Sequence, residues 1–473
     1  MFASAEVALK ATQLITSPHE LERTQANAYL CAFQESTEAW GICRELIQPS
    51  SDEIPMLFAC QTLYVKIKAD WHKLDNPQRE ELKLYIDSLL TLPLTPNAIK
   101  KICQCYAFIG MLMMATTWEG FISQVLQEKP FNIGLEVMDC VPYCVDEFCM
   151  SKRLSERIKS LISEQTQEIL SYFNSLIVTK GCLWQVLEVI KGWKLLKLNI
   201  FSNPGLTQTL LTLLTDLSNP QYPSVCRILV DAINNCQSIY LFDGKATYKP
   251  GMTLEDTLNH YPPQEKDSIL AFIQVISQVY TGILTHPDFE IKQAGTELIV
   301  GFALANQALF LWNDTLSFNI WQVMDGVIGS EDIEVAYSGL DFWCEFKDLL
   351  FKNIRDLGNM PWMFSHIIRH TGFIAKKAQY SSYEEFFASV SKDSEANLAN
   401  YRSSAEEVFN SFFLLFEKYH PQKSIAFLQI VGQLLEKPVS VSNAEVFMLI
   451  MRSILISLVD IEAIPTLREV RFN

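Results

Sequence analysis

Apolar residues recur along almost the whole chain at the spacing of one helix face. Leu206, Leu210, Leu213, Leu214 and Leu217 fall at i, i+4, i+7, i+8 and i+11, the 3.6-residue rhythm of a helix with one buried side. The same rhythm predicts one helix through Ile158, Leu161, Ile162, Ile169, Phe173 and Leu176, another through Val225, Leu229, Ala232, Cys236 and Ile239, and a third through Ile269, Phe272, Ile273, Ile276 and Val279. Short breaks rich in Pro, Asn, Gly and Ser separate such segments, among them Asp75-Asn76-Pro77, Leu92-Pro93-Leu94-Thr95-Pro96, Asn203-Pro204-Gly205 and Asn219-Pro220-Gln221-Tyr222-Pro223. Breaks this short turn one helix back on the next, so the helices should pair as hairpins. The first helices of the pairs start near residues 4, 37, 79, 118, 155 and 204. Those steps, about 33 to 49 residues, bracket the ~40 to 47 of HEAT-type repeats. The expected fold is all-α, an α-solenoid of HEAT-type helical hairpins running as one continuous array, with long insertions near 241–264 and 378–398.

Composition sharpens this picture. With 18 glycines and 19 prolines in 473 residues, helix breakers are too scarce for a turn-dense β architecture. An apolar share of 49% excludes a disordered chain. The net charge of −16 argues against direct contact with nucleic acid, whose binders carry a basic footprint, and for a basic protein partner. Twelve scattered cysteines read as small buried hydrophobes in a reducing compartment. The most membrane-like stretch, Leu298 to Trp312, is interrupted by Asn306 and Gln307 and is too short to span a bilayer, so it is expected to be a buried helix with no membrane insertion.

Catalytic signatures are lacking. No Walker A loop, G-x-G-x-x-G, H-E-x-x-H or G-x-S-x-G occurs, so neither an enzyme nor a cofactor is expected. His366 and His370 stand four apart, a metal-ligand spacing on a helix, yet no third ligand lies nearby in sequence and they read as a surface pair. Cys103, Cys105, Cys140, Cys144 and Cys149 form no C-x-x-C pair, so no metal site is expected there. Trp40, Trp71, Trp118 and Trp193 lie near breaks and read as packing anchors between repeats.

Residues 26–68, ANAYLCAFQESTEAWGICRELIQPSSDEIPMLFACQTLYVKIK, resemble the N-terminal repeats of the importin-β (karyopherin) superfamily. The resemblance lies in Phe33-Gln34, Ala39-Trp40 and the run Phe58-Ala59-Cys60-Gln61-Thr62-Leu63 leading to Lys66. Trp118-Glu119-Gly120-Phe121-Ile122, the run from Val186 to Trp193, Phe342-Trp343, and Ala444 to Val470 resemble the transportin-SR and importin-13-like branch. The resemblance implies a nuclear transport receptor that shuttles between nucleus and cytoplasm. It binds the GTP form of the small GTPase Ran, nucleoporins, and protein cargo such as serine/arginine-rich splicing factors. It implies Ran-facing repeats over 1–150, continuing repeats over 151–473, and an array whose carboxy-terminal half is absent here. By the family pattern Ran lies against the second helices of the first hairpins, expected here at about 19–34, 53–69 and 96–114. On the middle helix, angle arithmetic makes Met56, Ala59, Cys60, Leu63 and Ile67 the apolar face and leaves Gln61, Tyr64 and Lys68 as a polar stripe. The family motif instead favours Gln61 and Lys66. The candidate Ran-binding residues are therefore Gln61, Lys66, Lys68 and Tyr64. In the third helix Met111 departs from the acid that relatives commonly carry after a small residue. The competing expectation is a HEAT scaffold for another assembly, which predicts the same helices without the motif at Phe33-Gln34 and Gln61-Thr62.

Overall fold

The computed structural model describes residues 5–49, 51–147, 152–196, 198–235, 263–311, 315–353, 361–377 and 396–419. Cys149, Cys236, Ile239, the run from Ala444 to Val470 and most of both expected insertions lie outside these residues. Among the described residues every regular element is a helix, and the chain divides into two compact units, Met1–Leu198 and Asn199–Asn473.

In the first unit the helices are α1 (Ala5–Leu14), α2 (Glu20–Glu35), α3 (Ala39–Leu46), α4 (Glu53–Asp70), α5 (Asn76–Leu89), α6 (Pro96–Met114), α7 (Phe121–Glu128), α8 (Phe131–Glu147), α9 (Lys152–Glu164), α10 (Thr166–Lys180) and α11 (Leu183–Gly192). The second helices α2, α4, α6, α8 and α11 pack side by side in one row, with α3, α5, α7 and α10 laid against them. This is the layered stacking of HEAT-type hairpins, in which each buries its apolar face on its neighbours. The first three second helices, α2, α4 and α6, match the expected spans to within one residue.

The breaks act by capping. Asp75 and Gln78 form a capping box at the start of α5, with Pro77 in its first turn. Thr95 accepts from the Ala98 amide ahead of α6, and Pro96 takes the first helical position. Both devices satisfy amides that a helix start leaves without partners. Gly181 ends α10 in the left-handed conformation at φ +64°, where a side chain would be strained.

One predicted helix is divided. Ile158 to Leu176 runs as two helices broken at Gln165. The stretch from Ser163 to Glu168 is entirely polar, so no apolar contact pins the turn between Ile162 and Ile169. Inside α8, Pro142 removes the amide that would bond to the Met138 carbonyl. The buried Trp193, just past the end of α11, donates its indole N–H to that carbonyl at 3.0 Å and so replaces the lost donor.

The second unit contains α12 (Pro204–Leu213), α13 (Tyr222–Asn235), α14 (Pro263–Leu284), α15 (Phe289–Ala305), α16 (Thr315–Ile328), α17 (Ile333–Asn353), α18 (Pro361–Lys377) and α19 (Ala396–Tyr419). α13, α15, α17 and α19 form one packed row and α12, α14, α16 and α18 the other. α12 stops at Leu213, short of the predicted Leu217. Residues 263–264 and 396–398, expected in insertions, open α14 and α19. Leu298, Ile299 and Phe302 are buried, as expected of an interior helix. By length and composition it is Lys266–Leu284 that could cross a membrane, but Ile269, Phe272, Ile273, Ile276 and Ile283 are buried within this unit. Among the described residues the cysteines are all free thiols. Burial pushes those of Cys43 and Cys60 up to about 12, which makes them unreactive core groups.

Candidate functional site

α4 carries the residues singled out in the sequence. Its apolar face is as expected, with Met56, Ala59, Cys60, Leu63 and Ile67 all buried. Gln61 is half-buried on the other side and Lys68 is exposed. Gln34 of α2 reaches α4 by donating to the Thr62 hydroxyl at 3.4 Å.

Lys66 is not on the exposed stripe. Its side chain is only 3% exposed and its ammonium pairs with Asp70 at 2.5 Å. The same ammonium donates to the Ser36 carbonyl at 2.9 Å and lies 5.6 Å from the centre of the Trp40 ring. Ser36 caps the end of α2, where a cation offsets the carbonyl end of the helix dipole. The residue favoured by the family motif therefore ties α2, α3 and α4 together. The Asp70 carboxyl is held below its ordinary range by hydrogen bonds from Lys66 and then Lys73.

Tyr64 departs from the angular expectation as well. It is buried, edge-on to Phe108 of α6 at 5.7 Å, because the row of second helices closes over that side of α4. Its ring lies 5.8 Å from the Lys68 ammonium and 5.9 Å from that of Lys101 on α6, so one aromatic ring serves two cations. Lys101 also donates to Gln104 at 3.1 Å. Lys101 and Gln104, three apart on α6, are site neighbours that the sequence reading missed; their polar i, i+3 spacing was the available signal. Met111 is fully buried and does not face this surface. A Cβ on Gly110 would lie 2.3 Å from the Phe121 ring, so its small size serves helix packing.

Farther along the row two carboxylates come close together. The Asp139 carboxyl of α8 is raised above its ordinary range by burial and by Glu188 of α11, with Lys100 opposing. Glu188 pairs with Lys191 at 2.5 Å, whose ammonium lies 5.4 Å from the half-exposed Trp184 ring. Lys68 and Lys101 thus flank an aromatic ring at α4 and α6, while at α8 and α11 the carboxylates of Asp139 and Glu188 lie close enough to repel.

His366 and His370 are both buried, contrary to the surface pair expected. The third titratable group comes from sequence-distant Asp325 on α16, and the three offer ligand atoms within 4.8 Å of one another. Hydrogen bonds occupy both His370 nitrogens and both Asp325 oxygens, while the buried His366 Nδ1 has no hydrogen-bond partner. The Trp343 indole donates to His370 Nδ1 at 3.0 Å, so that nitrogen carries no proton and Nε2 carries it. Nε2 meets Asp325 Oδ1 at 2.5 Å, a hydrogen-bond separation. Coordination through Nε2 would require the proton to move to Nδ1, against the Trp343 N–H. Arg369 takes the other Asp325 oxygen at 2.5 Å, and His366 stacks on Trp321 at 4.4 Å. Burial opposes ionisation of Asp325, but the His366 and His370 rings and Arg369 outweigh it and hold the carboxyl well below its usual range. Burial lowers His370 despite Asp325. The cluster is a clasp joining α16, α17 and α18.

No protein-family model matches the chain. It is 25% identical over 193 residues to the mRNA transport regulator MTR10 of Saccharomyces cerevisiae, covering 36% of this chain and 19% of that protein. It is 24% identical over 188 residues to importin-13 of Bos taurus, covering 37% and 18%. An uncharacterized Schizosaccharomyces pombe protein is 35% identical over 112 residues, covering 22% and 11%. The matched segments thus span a fifth or less of these relatives' lengths. Among solved structures, Kap121p bound to Pho4p aligns with 95% of this chain and 53% of that one, at 9% identity and a TM-score of 0.40. Stacked helical hairpins carrying the Phe33-Gln34 and Gln61-Thr62 motif, together with the sequence similarity to the transport regulator and importin-13, make the chain similar to the importin-β (karyopherin) superfamily.

Proposed function

We propose that the chain acts as an importin-type nuclear transport receptor that binds Ran in its GTP form through the second helices of its first hairpins. In this role it takes part in importing protein cargo, of which serine/arginine-rich splicing factors are one class, and shuttles between nucleus and cytoplasm past nucleoporins. The work is binding, not catalysis. The observation that carries the reading is the α4–α6 face, where Gln61 and Lys68 border a ring flanked by Lys68 and Lys101. In this arrangement Gln61 and Lys68 contact the GTPase, Tyr64 orients Lys68, and Lys66 holds α4 in place from below. The overall negative charge speeds encounter with a basic partner surface more than it strengthens the complex.

The test is capture of Ran loaded with a GTP analogue or with GDP, by the wild-type chain and by Gln61→Ala/Lys68→Ala. Preferential capture of the GTP form, weakened at least fivefold by the double substitution, is expected. Equal capture of both nucleotide states, or of neither, would overturn the Ran reading and favour a HEAT scaffold for a different assembly.

A further inference from the structure

Away from Gln61 and Lys68, the α5–α6 turn and the α7–α8 turn enclose a cleft of about 750 Å³. Leu90, Leu92, Leu94 and Ile133 supply apolar walls, and two carboxylates line the cleft, Glu136 one turn into α8 and Glu128, which already accepts from Gln124. Of the two lysines on the wall, Lys129 is already paired with Asp87 and Lys100 acts on the Asp139 carboxyl. One Glu136 oxygen, Oε2, is shut off from water and has no hydrogen-bond partner. A buried carboxylate oxygen normally accepts a hydrogen bond, and leaving it without one is costly. Leucine and isoleucine side chains have no donor to offer it, and the wall donors Thr91, Lys100 and Asn132 do not bond to it. A rotation of the Glu136 side chain would present this oxygen to a donor brought in by an occupant of the cleft.

We infer that this cleft binds an arginine-bearing apolar segment of a partner protein, with the guanidinium on Glu136 and the flanking apolar side chains against Leu90, Leu92, Leu94 and Ile133. Guanidinium suits the position better than ammonium. Its planar fork meets a carboxylate with two parallel N–H donors, and its weaker hydration lowers the cost of entering an apolar cleft. Its methylene stem can lie along the apolar wall while the head reaches the acid. This inference does not depend on Ran binding.

The test uses the whole 473-residue chain and two fluorescein-labelled pentapeptides, Leu-Leu-Arg-Leu-Leu amide and its citrulline counterpart, which keeps the shape and loses the charge. Fluorescence anisotropy should show the arginine peptide binding at least tenfold more tightly. Glu136→Gln should reduce that preference to less than twofold, while Leu92→Ser in the α5–α6 turn should weaken both peptides equally. Hydrogen exchange with the arginine peptide present should slow in the α5–α6 turn and the first turns of α8. No binding of either peptide up to 1 mM, equal binding of the two, or an arginine preference that survives Glu136→Gln would overturn the inference. Circular dichroism melting of both variants identifies any that fail to fold; if Glu136→Gln does, the peptide preference and exchange pattern of the wild type and Leu92→Ser decide alone.

Discussion

Replacing Lys66 separates a structural role from a binding role. In Lys66→Ala the Asp70 carboxylate loses the partner at 2.5 Å and keeps Lys73 at 2.8 Å, whose side chain is 65% exposed. The Ser36 carbonyl at the end of α2 loses its donor at 2.9 Å. Stranding a buried ion costs about 3–5 kcal/mol, but Lys73 and the 17% exposure of the Asp70 side chain lower that toward ~1–2. An unsatisfied carbonyl adds about 1 kcal/mol or more. The expected loss is therefore ~2–3 kcal/mol, concentrated in the first two hairpins. Urea unfolding followed by hydrogen-exchange mass spectrometry should show it as faster exchange in α2 and α4. Lys66→Met/Asp70→Asn removes both charges and keeps most of the stem, so it should recover at least half of the loss. If Lys66→Ala unfolded at the wild-type urea concentration with unchanged protection in α2 and α4, the staple would be refuted and the ammonium would be free to meet a partner.

Gly110→Ala should destabilise by about 1–3 kcal/mol, since its Cβ would fall 2.3–2.5 Å from the buried Phe121 ring, outweighing alanine's ~1 kcal/mol helix advantage; Gly41→Ala, with nothing within 4 Å, should stabilise by up to ~1 kcal/mol, and equilibrium denaturation distinguishes the signs. Trp193→Phe leaves the Met138 carbonyl without its donor at 3.0 Å, costing ~1–3 kcal/mol, and also loses the five-membered part of a fully buried indole, so the cavity adds to that cost; both are visible as faster exchange around Pro142. For pH, His370 is lowered by burial, so its stabilising contribution is complete above the unfolded histidine value of ~6.5 and is lost as pH falls below it, by at most about 1.4 kcal/mol per unit. Asp325 is also lowered, so its contribution is lost only below about pH 4, the unfolded carboxylate range. Melting from pH 7 to 5 should therefore show a fall that His370→Gln diminishes, and an identical pH slope in that variant would reject the assignment.

Most helices of the first unit, and the pairing of its first four hairpins, could be read from chain order alone. An i, i+4, i+7 pattern needs nothing beyond that order to define a buried face, and Asp75-Asn76-Pro77 or Thr95-Pro96 caps a helix through atoms two or three residues away. For that reason the apolar face of α4 was legible before any tertiary contact was known, and so was the family motif around it. Packing between hairpins decided what became of the polar residues. Lys66 and Lys68 are two positions apart, yet one is enclosed by Ser36, Trp40 and Asp70 while the other stays in solvent, because the α2–α3 turn closes over only one side of α4. Tyr64 was covered by α6, and Gln61 was left half-exposed at the edge. His370 acquired Asp325 from 45 positions away and Trp343 from 27, partners that periodicity cannot supply. Their hydrogen bonds set the imidazole tautomer. Periodicity reports which side of a helix avoids water; which charges are covered with it depends on how closely the neighbouring hairpin packs.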